Sequence, residues 1–169
     1  MGSYADDALF MSRNNIEYVE LISDDGKSKV MVIPAWQGRV MTTSAAGDEG
    51  DSYGWINYSF IKKRQIDLQF NPVGGEERFW LGPEGGVFSL YFRQGEKQIY
   101  KNWKVPPVLD IEAFKIQSQS KNCICLTKEG CLTNACGTTF YLNIKRTISL
   151  LDINEFAASF NLEFPKDIK

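Results

Sequence analysis

The chain contains no histidine. That absence removes imidazole as acid, base or metal ligand from any chemistry this chain performs alone. A basic block is missing too. Lys62, Lys63 and Arg64 form the densest cationic run, and acids and bases otherwise intersperse to a net charge of −2. Such a short run reads as a solvated turn or strand end, so nucleic acid has no electrostatic footprint here. No apolar run approaches the roughly 20 residues of a membrane-spanning helix. The opening residues, Met-Gly-Ser-Tyr-Ala-Asp-Asp, are polar and acidic where a secretory leader is basic and then apolar. No signal peptide is expected in this chain, and cytoplasm and periplasm both stay open as compartments.

Cysteine is confined to Cys123, Cys125, Cys131 and Cys136. Four thiolates can close a tetrahedral zinc shell, but neither pair has the C-x-x-C spacing. Cys123 and Cys125 flank Ile124 on a β-like stretch and share one face of it. They read as small strand residues, with a disulfide across a hairpin left open for an oxidising compartment. Asp48, Glu49 and Asp51 lie in a Gly-rich loop without the spacing of a calcium-binding loop. No metal and no cofactor is expected.

What is present is ample apolar material. Over 169 residues, 43% are hydrophobic and 13% aromatic, which suits one domain with a real core. The periodicity is that of strands. Ile16–Ser23 and Lys29–Ala35 flank an Asp25-Gly26 turn signal and form a hairpin. Gly38–Ser44 continues as a third strand. Further strands are expected over Trp55–Ile61, Val87–Arg93, Phe114–Ser120, Asn122–Thr127 and Thr138–Leu151. Large side chains on both faces of Val87–Arg93 imply a sheet covered on both sides. Pro106-Pro107 keeps Asn102–Asp110 extended. Helices are expected only at Tyr4–Ser12 and Ile153–Ser159, the latter capped by Asp152 or Asn154. Many short strands with Gly/Pro turns indicate an all-β antiparallel sandwich.

The densest chemistry lies in Asn71-Pro-Val-Gly-Gly-Glu-Glu-Arg-Phe-Trp-Leu-Gly-Pro-Glu-Gly-Gly86. Glu76, Glu77 and Glu84 are acceptors for hydroxyl groups. Arg78 and Arg39 are donors, and Trp80 offers a flat face for the C–H side of a sugar ring. Asn57 and Asn71 add polar contacts. Together they are the parts of a site for a polyhydroxylated ligand. The same residues also suit a scaffold in which Arg39 and Arg78 pair with Glu76 or Glu84, and one of Phe79 and Trp80 enters the core.

Three segments in order, Pro34–Ser44, Gly54–Asn57 with Asn71–Gly86, and Trp103–Asp110, resemble an uncharacterised bacterial branch of the galactose mutarotase-like (aldose 1-epimerase-like) superfamily. The resemblance spans roughly residues 4–151 and implies a β-supersandwich that binds sugars on a concave face. Against that fold the chain, read as a single domain over 1–169, looks like an N-terminal part or a shortened homologue.

Mutarotation needs a general base at the anomeric hydroxyl and a general acid at the ring oxygen. The family's histidine acid has no counterpart here, and its late glutamate base is not recognisable. The resemblance therefore implies a carbohydrate-binding domain without the standard epimerase chemistry. The alternatives are an aldose 1-epimerase-like isomerase using carboxylates, or a half-sandwich that assembles with another chain. A carboxylate pair acting on a glycosidic bond is a further reading, but nothing in the sequence sets the carboxylate separation. The expected partner is a sugar or oligosaccharide, with homo-oligomerisation through uncovered sheet edges as a further possibility.

Overall fold

A computed structural model describes residues 2–160. The fold is mostly sheet, with two antiparallel three-stranded sheets and few helices. The first sheet contains β1 (Val19–Ile22), β2 (Lys29–Ile33) and β3 (Arg39–Ser44) in that order. The second contains β4 (Lys115–Gln119), β5 (Cys123–Thr133) and β6 (Thr139–Ser149). Five of the six fall within the segments expected from alternation and β-branching, and β5 continues to Thr133, well beyond the expected end at Thr127.

Strand β2 is buried along its whole length, and its pleat explains how. Val30 and Val32 face one apolar cluster, while Met31 and Ile33 face another. The larger cluster joins the two sheets, bringing Leu21, Val30, Val32 and Val40 together with Ile124, Leu126, Leu132 and Ile144. The smaller is closed by helix α1 (Tyr4–Arg13), whose Tyr4 and Met11 stand two turns apart on one face. Ser3 and Asp6 form a capping box at its start. Asp7, buried on the same helix, accepts from Ser52 and from Tyr58 and ties α1 to the segment after β3.

The sheets approach closely where β3 begins. Gly38 adopts φ +62°, and a Cβ there would lie 2.4 Å from Cδ1 of Leu126 on β5. Beyond the ladders, Ile22 N–H at the end of β1 donates to Lys121 O at 2.8 Å, and Phe114 N–H donates to Pro34 O at 2.9 Å.

Two expected strands are absent. Residues of Trp55–Ile61 instead enter helix α2 (Tyr58–Lys62), because Asn57 Oδ1 accepts from Phe60 N–H at 3.2 Å and caps it. Val87–Arg93 forms bends and turns. Ser89 Oγ donates to Glu84 O at 2.8 Å and accepts from Tyr91 N–H at 3.1 Å, which curls the backbone away from a ladder. Tyr91 and Phe92 still reach the core, while Val87 and Phe88 are exposed. Asn102–Asp110 is extended only in part, with 3₁₀ turns at Tyr100–Asn102 and Pro107–Leu109. The second helix forms as α3 (Ile153–Phe160). Asp152 O accepts from Phe156 N–H at 2.9 Å at its start, and the side chain of Asn154, the other expected cap, lies outside the described residues.

Candidate functional site

The segment 71–86 is no hairpin. It is a looped strap held by isolated bridges, Val40 to Glu77 and Ile56 to Gly74. Gly74 makes the second bridge possible. Its φ is +97°, and a Cβ would lie 2.1 Å from Trp55 O.

Beneath the strap is a polar knot. Asn71 gives its backbone N–H and its Nδ2 to Asp110 Oδ2, at 2.9 and 2.8 Å. Its Oδ1 receives the N–H of Asp67 at 2.9 Å. Asp110 Oδ1 stands 3.5 Å from Arg78 Nη2, which donates to Leu109 O at 2.5 Å. Burial raises the Asp110 pKa, opposed by the Asn71 hydrogen bonds and the Arg78 charge. Burial also lowers that of Arg78. Desolvation thus disfavours both charges, and their attraction offsets it only in part.

Arg78 lies against two rings set nearly at right angles, 4.2 Å from the Trp80 centroid and 5.3 Å from that of Phe70. Trp80 Nε1–H donates to Glu84 Oε1 at 2.8 Å. Trp80 also begins an aromatic row. It meets Tyr91 at 5.2 Å, Tyr91 stacks on Trp103 at 5.6 Å with planes 6° apart, and Trp103 stacks on Tyr100 at 6.2 Å. Tyr100 ends the row, 77% exposed. Glu84, Gln98, Tyr100 and Trp103 line a shallow cleft of about 330 Å³ with Phe92 and Ile99. Gln98 is fixed by a reciprocal pair of 2.7 Å hydrogen bonds with the backbone of Gly86.

The site residues expected from sequence separate into groups. Trp80 and Glu84 adjoin this cleft. Arg78 lies behind Trp80 and faces Asp110, not Glu76 or Glu84. Arg39 is 1% exposed and donates to Gly74 O at 2.8 Å, again pairing with neither glutamate. Glu76 accepts from Thr43 N–H and Oγ1, at 2.8 and 3.0 Å, on the outer side of β3. Glu77 pairs with Arg146 of β6. Asn57 caps α2 and donates from Nδ2 to Pro72 O at 2.9 Å. Phe79 and Trp80 both pack partly buried against the larger cluster, since no strand pleat separates them there.

Four contributors escaped the sequence reading: Tyr100, Gln98, Asp110 and Arg146. Tyr100 and Trp103 carried a usable signal, two aromatics three residues apart just before Pro106-Pro107. Among the described residues no group of three or more Cys, Asp or Glu is placed to hold a metal ion, and all four thiols are unpaired. No described helix is long and apolar enough to cross a membrane.

No curated protein and no solved structure matches the chain. The model of one family, described as a family of unknown function (DUF6786), matches residues 2–169. The chain therefore belongs to the DUF6786 family.

Proposed function

We propose that the protein is a carbohydrate-binding domain built on a mutarotase-like β-sandwich, with its ligand seated on the Tyr100–Trp103 face beside Glu84. The observation that carries this reading is the end of the aromatic row. A ring 77% open to solvent borders the same cleft as a carboxylate and a fixed amide. Sugars need that combination, because their C–H faces are apolar while their rims carry hydroxyls. No hydrogen bond among the described residues reaches Glu84 Oε2, so it is free to accept from a hydroxyl. The larger cluster shared by both sheets supports the sandwich reading.

The test is a glycan array followed by calorimetry on the hits. Tyr100→Ala and Glu84→Gln each weaken binding about tenfold, the scale of one lost stacking or charge-assisted contact. A folded protein that binds no glycan refutes the reading. An epimerase-like activity is the weaker alternative. Its acid and base must flank one sugar, and Asp110 is buried while Glu84 stands on the open cleft.

A second reading, self-association, is favoured by the outer edge of β6. Thr139–Ser149 pairs with β5 on one side only, and Tyr141 beside that edge is 89% exposed. A concentration-dependent mass in light scattering supports it, and a monomer at all concentrations counts against it.

A further inference from the structure

Three arginines converge on the junction between β3, the strap and β6, and each holds a buried N–H without an acceptor. These are Nε of Arg39, Nε of Arg78 and Nη1 of Arg146. Two carboxylates answer them, Glu77 and Asp110. Asp110 Oδ2 is already taken by two donors of Asn71, and its Oδ1 is only within ion-pair distance of Arg78. Glu77 meets Arg146 through Oε2, yet its side chain is 53% exposed, while that of Arg146 is 10% exposed. The junction therefore carries an excess of positive charge, and its outermost anion is held from one side only.

Burial, together with the nearby Arg78 and Arg146 charges and against the pull of Asp110 and Glu77, lowers the Arg39 pKa to about 10. Buried guanidinium groups that lack acceptors are costly, and planar oxyanions match their geometry best. Glu77 is a built-in carboxylate that solvent can reach.

We propose that this junction is an anion site for a carboxylate-bearing sugar, a uronic acid, whose carboxylate displaces Glu77 from Arg146. The identity of the ligand as a sugar rests on the function proposed above, whereas the anion site does not. Exchange at Arg146 leaves the charge count unchanged, since Glu77 swings into water as the ligand carboxylate enters. A carboxylate that bridges both terminal nitrogens of Arg146 then gives its Nη1 an acceptor.

The experiment titrates the full chain with galacturonate, galactose and acetate. Calorimetry reads affinity, and thermal melting reads stabilisation. Galacturonate binds about tenfold more tightly than galactose, the scale of one charge-assisted hydrogen bond. The preference collapses in Arg146→Gln. It grows in Glu77→Gln, which weakens the internal competitor without removing an arginine. Acetate raises the melting temperature of the unaltered protein and not that of Arg146→Gln. Equal affinity for galacturonate and galactose overturns the uronate assignment and leaves the sugar reading standing. Acetate stabilisation without binding of either sugar sinks the sugar reading and retains the anion site. Absence of both acetate stabilisation and a galacturonate preference in Glu77→Gln overturns the anion site itself.

Discussion

Asp110 shows how one residue organises the strap. It holds Asn71 through two hydrogen bonds and faces Arg78, and it is almost fully buried. Asp110→Ala strands the Asn71 donors and leaves Arg78 without its counter-ion. The expected cost is about 3 kcal/mol in urea unfolding, as for other broken buried pairs. The raised pKa of Asp110 gives a second, signed expectation. Between its unfolded value of 3.8 and its higher folded value, the native state binds the proton more tightly. This group's contribution to stability is fully present below the unfolded value and is lost as pH rises through the folded one. Asp110→Asn lacks that titration. The unaltered protein therefore gains stability relative to Asp110→Asn as pH falls from 7 toward 4, measured by paired denaturation curves. A difference that is constant with pH contradicts the assignment. None of this was legible in sequence, where Asp110 merely closes the Trp103–Asp110 segment. Its partners lie 32 and 39 positions away (Arg78 and Asn71), and separations of that size leave no local pattern.

At the scale of elements, the legible parts were those whose neighbours in sequence are also neighbours in space. The hairpin of β1 and β2 and the long ladder of β5 and β6 pair consecutive strands. Their alternation, turn glycines and β-branched residues all point the same way. Val87–Arg93 had equal β-propensity but no partner strand, and Ser89 offered its backbone a local alternative. At Trp55–Ile61 one cap decided the outcome. Asn57→Ala removes both the cap and the tie to Pro72, and is expected to cost about 1–2 kcal/mol by chemical denaturation. Gly74→Ala forces a side chain into left-handed backbone and against Trp55 O. A loss of about 2–4 kcal/mol is expected, and unaltered stability refutes the close approach described here. The strap's chemistry was legible as a composition, three glutamates, an arginine and a tryptophan. Its division was not, because the strap crosses β3 and sends Glu76 to one side, Glu77 to β6 and Glu84 to the aromatic row.

The described residues as a whole present two sheets that share a core, an aromatic row running from inside to surface, and an arginine junction set behind the strap. Trp80 links these parts, with Arg78 against its ring and Glu84 on its indole N–H. Sugar binding at Tyr100 is therefore expected to be felt at Trp80 through Glu84. The mostly-sheet class was visible from the sequence, as was the unusual composition of the segment 71–86. The cleft proposed for the ligand was not, since Gln98 comes from a turn without a motif and the spacing of Tyr100 and Trp103 was its one local sign. The most direct measurement of the central claim is nuclear magnetic resonance of the indole N–H signals during titration with a bound sugar. The account predicts shifts at Trp80 and Trp103, none at Trp36 and Trp55, and loss of the effect in Tyr100→Ala. Shifts confined to Trp36 or Trp55, or none at any sugar concentration, would contradict it.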